Sequence, residues 1–399
     1  MTTVAGQWRS RARRLADELT VAGHLSDPAW VAAFEHTPRH VFVPAFYAPG
    51  ERRAAGTLTR ARDAQDADGW LDTVYRNEAL LTQHRAMSTG IEGVPTSSST
   101  WPSAMAVMLE RLQVSEGDSA LEIGTGTGYN AALLCHRLGD SHVTSIEIDP
   151  GLTGQARDRL ADLGHHPTLI SGDGTAGAPG RAPFDAIIAT CAVSHIPPAW
   201  IMQLRPGGRL VAPFGSASGA LAVLTKTEDA VVVGTFDEFT VYFMPLRDRV
   251  EDPSGPLEVY GLPQVDPPAP YEAVTDLNPH DLLEPEFQLW LELHLSPVNL
   301  AVTEPTEHQP ATLLARTNDS YATVSTQPRA DGTYLVRQFG RRRPCDTVET
   351  AWRSWQRHGR PGRTRLGIWA STDINQQYLW LDSPTGDLSW PMPTPHATG

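Results

Sequence analysis

Apolar positions along this chain follow two repeats, one suited to helices and one to buried strands. From Gln7 to Leu25, Leu15, Leu19 and Val21 fall on one side and arginines on the other, which predicts an amphipathic helix. Asp27 followed by Pro28 is a helix start, and a second helix is expected from Ala29 to Glu35. Met105, Met108, Leu109 and Leu112 recur at helical spacing between Ala104 and Leu112. Short apolar runs then read as strands at Ser119–Ile123, His142–Ile148, Pro167–Ser171 and Phe184–Thr190. The last is almost wholly apolar, as strands covered on both faces are. A helix-like run, Tyr129–Leu138, follows the first of them. Further strands are expected at Gly208–Pro213, Leu221–Thr225, Val231–Thr235 and Phe239–Leu246, ending in an antiparallel hairpin.

Two stretches break the pattern. Ala48–Trp70 is rich in Ala, Gly, Arg and Asp without a sustained period, and reads either as a disordered surface insertion or as a lid. Asp252–Pro270 is rich in proline and predicts a stiff linker within residues 251–275. It separates a first domain, 1–250, from a small α+β domain, 276–399. In that second part Pro285–Leu295 has the apolar face of a helix or a strand. Tyr321–Thr326 and Gly332–Phe339 read as strands, Thr347–His358 as a helix, and Arg365–Ala370 and Gln377–Asp382 as closing strands. Six of the eleven tryptophans lie there, with an arginine-rich face that includes Arg341, Arg342 and Arg343. That face is either a solvated surface or a dock for an acidic peptide, since arginine pairs well with carboxylates.

The chemistry concentrates at the strand ends. Gly124, Gly126 and Gly128 follow the first strand at alternate positions and lead into a helix. Such a turn brings a ligand close to the backbone and aims free N–H groups at it. On its own it would suit any α/β protein, and its spacing is not the Gly-x-Gly-x-x-Gly of dinucleotide folds. Glu147 ends the second strand, about twenty residues beyond the glycines, where a carboxylate can accept from a ribose diol. Asp173, between Gly172 and Gly174, ends the third, within reach of an adenine amine. The three loops in this order describe a nucleoside ligand at the crevice of an open sheet.

A net charge of −14 over 399 residues argues against sequence-independent nucleic-acid binding and suits a soluble cytoplasmic enzyme. Cys135, Cys191 and Cys345 are too few and too dispersed for a disulfide framework or a zinc site, so no metal is expected. No signal peptide and no membrane span are expected.

Leu121–Asn130, Ile146-Glu147, Gly172-Asp173-Gly174 and Gln203–Leu210 resemble the motifs of class I S-adenosylmethionine-dependent methyltransferases. With Pro38–Pro44, Phe184–Thr190 and Ile196–Pro198 they are similar, more narrowly, to protein-L-isoaspartate O-methyltransferases, over roughly Val31 to Leu246. The longer architecture resembles methyltransferases that modify ribosomally made peptides alongside graspetide or lanthipeptide maturases. The resemblance implies an α/β fold with a Rossmann-like seven-stranded sheet and helices on both faces, followed by the small C-terminal domain. It implies S-adenosylmethionine as cofactor, leaving as S-adenosylhomocysteine. The cofactor would be held by Glu122, Gly124, Thr125, Gly126, Gly128, Asn130, Glu147, Ile148, Gly172, Asp173, Gly174 and Thr190.

In the family a Thr-Ile-Ser-x-Pro segment presents a serine to the reacting carboxylate. Here the proline is Pro102, so Thr100 takes that position, and Ser98 and Ser99 stay open as alternatives. Where the repair enzymes have Ala-Ala-Ala-Pro, this chain has Cys191-Ala-Val-Ser-His195, which makes His195 a candidate substrate contact. The expected partner is a peptide carrying an aspartyl-type carboxylate, read first as a pre-modified biosynthetic precursor. General repair of isoaspartyl proteins is the alternative, and a non-catalytic cofactor-binding scaffold the third reading.

Overall fold

The structure, a computed structural model, describes residues 4–47, 62–63, 67–85, 94–215, 218–247, 270–294, 299–303, 312–316 and 320–392. Most of the Ala48–Trp70 insertion and the proline-rich linker as far as residue 269 lie outside the described residues.

Ten strands form the central sheet. They are β1 (Ala120–Ile123), β2 (Val143–Glu147), β3 (Thr168–Ser171), β4 (Phe184–Ala189), β5 (Leu204–Phe214), β6 (Ala220–Lys226), β7 (Val232–Phe236), β8 (Leu366–Ala370), β9 (Gln377–Leu381) and β10 (Ser389–Pro391). Their spatial order is β10-β9-β8-β7-β6-β5-β4-β1-β2-β3. The strands from β3 to β5 pair in parallel and the rest antiparallel. β1 and β2 are buried along their whole length, and the polar side chains they carry, Glu122, Thr144, Ser145 and Glu147, are buried with them. Along β4 the side chains alternate. Ala186 and Ile188 join the core under the helices Val4–Val21, Pro28–His36, Pro102–Leu112 and Tyr129–Leu138. Ile187 and Ala189 join the opposite core, which reaches Pro285–His294 and Pro344–Arg357. This period of two gives the sheet a helical layer on each face.

The chain reverses its direction of growth between β1 and β4, so a crevice opens there at the carboxyl ends of the strands. The N-terminal helices pack over this region. The Asp27 side chain accepts from Ala29 N at 2.8 Å, as the helix start predicts. The first helix ends at Val21, short of Leu25, because Gly23 turns with a φ of +75°.

Three expectations are corrected. Phe239–Leu246 is not a strand of the sheet. Its backbone bonds instead to loops, with Val241 N on Gly219 O and Leu246 N on Ala192 O, both at 2.8 Å. The edge beside β7 is taken by β8, with Val232 opposite Ala370. The sheet therefore continues past seven strands, and residues 366–391 of the expected C-terminal domain belong to it. The remainder of that region is a second, five-stranded antiparallel sheet. Its order is Tyr271–Thr275, Tyr334–Gly340, Ser320–Ser325, Thr312–Arg316, Asn299–Thr303. Pro285–His294, open between helix and strand in the sequence, is a helix.

Candidate active site

The crevice at the switch point is a cleft of about 330 Å³. Its floor is the glycine turn. Gly124 and Gly126 have φ of +97° and +53°, a region that favours glycine. A Cβ on Gly124 would meet Thr190 Oγ1 at 2.7 Å, so the turn lies directly against the end of β4. Gly128 caps the helix Tyr129–Leu138 and sits against Ala156, off the cleft wall.

Two carboxylates anchor the floor. Glu122 is fully buried on β1; its Oε1 accepts from Asn130 Nδ2 at 2.8 Å and its Oε2 from Ser145 Oγ at 2.5 Å. Thr125 Oγ1 continues the network to Ser145 at 2.6 Å. Burial pushes the Glu122 carboxyl up to about 7, with the Ser145 and Asn130 hydrogen bonds opposing the shift and the Glu147 charge adding to it. Glu147, at the end of β2, accepts from Gly126 N at 2.8 Å and from Asp149 N at 3.1 Å. Its proton affinity is also raised by burial, against those two backbone donors and the charge of Arg247.

The hydroxyl segment forms the facing wall. It is a strand, Val94–Ser99, paired with Leu80–Arg85. A Cβ on Gly126 would lie 3.8 Å from Ser97 Oγ and 4.0 Å from Ser98 O, so this strand runs across the glycine turn. Ser98, Ser99 and Thr100 all border the cleft. They are not equivalent. The Ser99 hydroxyl is engaged by Arg39, whose Nε and Nη2 donate to it at 3.3 Å. No hydrogen bond ties the Ser98 or Thr100 hydroxyl among the described residues.

Arg39 is the buried residue behind the hydroxyl wall that reasoning from sequence missed. It is fully buried and has no carboxylate partner among the described residues. Its guanidinium donates to Val74 O at 2.9 Å, Arg76 O and Glu78 O at 3.0 Å, and Thr100 O at 3.1 Å. It thus ties the hydroxyl segment to residues 74–78. Burial lowers its proton affinity to about 10, so it stays charged at neutral pH. The only available signal was its place in Pro38–Pro44, which carried a resemblance but no role.

The third wall is the extended segment Tyr242–Arg247. Arg247 is the single Lys or Arg on the cleft wall among the described residues, and its Nη2 donates to Thr96 O at 3.3 Å across to the hydroxyl strand. Thr190, Ile148 and Gly174 border the cleft as well. Gly172 and Asp173 do not. The Asp173 carboxylate takes Thr175 N at 2.8 Å and Thr175 Oγ1 at 2.6 Å, capping a short turn. His195 lies beyond Cys191 off the cleft wall, and Arg341, Arg342 and Arg343 are exposed on the C-terminal sheet region, with Arg343 over the Tyr271 ring at 4.4 Å. Burial pushes the Cys191 thiol up, so it lines the cleft as a neutral group. Cys135, Asp140 and His165 gather away from the cleft. There the Asp140 carboxylate is engaged by His165 Nδ1 at 2.9 Å and His166 N at 2.6 Å.

S-adenosylmethionine presents a ribose diol, an adenine and an ammonium group. Glu147 lines the cleft and each of its oxygens accepts one hydrogen bond, which leaves acceptor capacity for a diol. Asn130 Oδ1 is buried without a partner among the described residues and would accept from an ammonium. The glycine turn leaves room for the sulfur-bearing chain. The residues fit the group.

The β3-β2-β1-β4-β5 order, the glycine turn at its switch point and the acid ending β2 define a class I methyltransferase, whose methyl donor is S-adenosylmethionine. A family model described as protein-L-isoaspartate(D-aspartate) O-methyltransferase matches residues 60–251. A protein-L-isoaspartate O-methyltransferase of Nitrosospira multiformis is 35% identical over 249 residues, covering 61% of this chain and 89% of that relative. One from Archaeoglobus fulgidus is 33% identical over 239 residues, covering 59% and 93%. The chain belongs to the protein-L-isoaspartate O-methyltransferase family. A solved protein-L-isoaspartate O-methyltransferase shares the fold, with a TM-score of 0.50 at 21% identity, across 93% of this chain and all of that one. No helix among the described residues is long and apolar enough to cross a membrane.

Proposed function

We propose that this protein transfers a methyl group to the free carboxylate of an isoaspartyl-type residue in a peptide or protein. The observation that carries the reading is the hydroxyl strand lying across the glycine turn, with Ser98 and Thr100 on the cleft and Ser99 held by Arg39. S-adenosylmethionine supplies a methyl already activated on a sulfonium. A carboxylate is ionised at neutral pH, so no general base is needed. What remains for the chain is alignment and exclusion of water. Glu147 and Asn130 would hold the cofactor, and the Thr100 or Ser98 hydroxyl would orient the carboxylate. Trp101 and the Tyr242–Arg247 segment would keep water out. In the ester, the next backbone nitrogen attacks the carbonyl, methanol leaves with the nitrogen's proton, and a succinimide closes without further help from the enzyme.

A dedicated, pre-modified biosynthetic peptide is the second reading. It rests on the Cys191–His195 segment, which replaces the small residues of the repair enzymes. The C-terminal extension does not favour it, because a solved repair-family fold spans most of this chain. The experiment offers the purified protein an isoaspartyl peptide and its aspartyl twin and follows methyl incorporation by mass. The isoaspartyl peptide alone should be esterified. Thr100→Ala or Ser98→Ala should lower turnover while S-adenosylhomocysteine affinity holds. A protein that binds the cofactor yet leaves isoaspartyl peptides unmodified would end the repair-type reading.

A further inference from the structure

The segment after β4 lies between the cofactor cleft and the C-terminal extension. Thr190 is fixed from the cofactor side, with its N on Ile123 O at 2.8 Å and its Oγ1 on Gly124 O at 2.5 Å. Ala192 N bonds Met244 O at 2.9 Å, which joins it to the third wall of the cleft. Val193 bridges the end of β5, with its N on Pro213 O at 2.9 Å and its carbonyl accepting from Gly215 N at 2.8 Å. The far end, Ile196, has neither of these supports. Its N–H donates to Gln377 Oε1 at 3.0 Å, and its carbonyl accepts from Gln377 Nε2 at 2.7 Å. Gln377 is 1% exposed and is the first residue of β9, 181 positions later in the chain.

A primary amide that satisfies both backbone groups of one residue imitates a neighbouring strand. Lost from a buried site, it would leave an N–H and a C=O unpaired, so the segment would have to move to find water. We propose that Gln377 is a positioning residue for methyl transfer: it holds the Ile196 end of the segment whose other end, Cys191, borders the cleft. The C-terminal extension then acts on the reaction through β9. Its reach stops short of the cofactor, because Thr190 is fixed independently by Ile123 and Gly124. This rests on the reading above that the cleft accepts a peptide carboxylate.

The test compares Gln377→Met, which keeps the length and loses both hydrogen bonds, with Gln377→Glu, which keeps an acceptor for Ile196 N. Amide hydrogen exchange over residues 191–196 is measured in each S-adenosylhomocysteine complex, and kinetics are measured with an isoaspartyl peptide. Exchange should accelerate in Gln377→Met and less so in Gln377→Glu. Peptide kcat/KM should fall by about tenfold in Gln377→Met, as expected for two buried hydrogen bonds, while S-adenosylhomocysteine affinity stays within about twofold. Unchanged exchange would overturn the proposal. So would a cofactor affinity that falls in step with turnover, which marks a merely structural role. If wild-type protein fails to methylate isoaspartyl peptides, the functional reading falls while the exchange data still judge the clamp.

Discussion

Replacing Arg39 tests whether the hydroxyl wall depends on a buried cation. The guanidinium has zero exposure and donates to carbonyls of residues 74, 76, 78 and 100 and to the Ser99 hydroxyl. Hydrogen bonds to a charged group contribute about 1.5–3 kcal/mol each, though they do not add. Arg39→Met deletes the charge together with its desolvation cost and leaves several buried oxygens unpaired. By analogy with breaking a buried ion pair, the net loss should be about 3–5 kcal/mol, a large share of the stability of an ordinary domain. Arg39→Lys keeps the charge but offers fewer donors on a flexible stem, so it cannot serve the residue 74–78 carbonyls and Ser99 together. It should cost less and remain folded. Urea unfolding gives the stability, and steady-state methyl transfer gives the function. The Lys variant should lose kcat by at least about tenfold, because the Ser98–Thr100 segment drifts relative to the reacting carbon. Its affinity for S-adenosylhomocysteine should change far less, since the glycine turn and Glu147 do not touch Arg39. An Arg39→Met protein with the wild-type unfolding midpoint and turnover would refute this account of the wall.

Glu122 predicts a pH effect. Its carboxyl titrates near 4.5 when unfolded and about 7 when folded, so between these values the folded state keeps a proton that the unfolded state has lost. Its contribution is fully present below pH 4.5 and fades as the pH rises through 7, by about 3 kcal/mol in all. Glu122→Gln should abolish that slope. The difference between variant and wild type is the quantity to read, because His40 and His294, both lowered to about 4 by burial, drive stability the opposite way between pH 4 and 6.5. Wild-type and Glu122→Gln stability curves with the same pH slope across this range would contradict the assignment. Glu147→Ala should weaken S-adenosylmethionine binding by about tenfold or more by calorimetry, since a charged acceptor is lost; equal affinity would remove Glu147 from the site. Deleting residues 270–399 should leave a chain that neither folds cooperatively nor binds S-adenosylhomocysteine, and a soluble truncated protein with wild-type affinity would show the extension to be dispensable.

The parallel half of the sheet was legible because strands buried on both faces are mostly apolar, as β4 is apart from Asp185, while Glu122 of β1 and Ser145 of β2 are buried against each other. The glycine turn was legible because its positive φ angles favour glycine, and Glu147 because a strand-end acid stands at a fixed distance from that turn. Arg39 was hidden for a physical reason. A lone arginine in a short apolar stretch looks like any surface cation, and its partners are backbone carbonyls 35 to 61 residues away that carry no sequence signature. Phe239–Leu246 reads as a strand because its apolar content suits burial, yet it satisfies its backbone on loops, which no local pattern reports. Asp173, read from its place between two glycines at a strand end as a ligand residue, has each carboxylate oxygen accepting one hydrogen bond from Thr175, which no sequence pattern reports.

The extension joins the catalytic unit through bonds that a separable domain would lack. A lone β7 would present an unpaired edge, and β8 covers it from Val232 to Thr235. Gly367 on β8 makes that packing feasible: any Cβ there would meet Trp380 at 2.0 Å, so the indole lies against the glycine. Arg363, 3% exposed, pairs with Glu286 at 2.8 Å and reaches Gly219 O beside β6 at 3.3 Å. Glu292 accepts from Ser218 N at 3.0 Å in the same turn. One apolar cluster runs from Ile187 and Leu210 of the catalytic sheet to Trp290, Val324 and Trp355 of the extension. Arg341, Arg342 and Arg343 stand outside this framework, on the region of the five-stranded sheet. Any attraction they exert on an acidic substrate is one that salt would screen, over a length of about 10 Å. The route by which the extension touches the chemistry is therefore the ladder β7-β8-β9 and the amide at its end, and a peptide's affinity should respond to changes at Gln377 even in salt that silences the arginines.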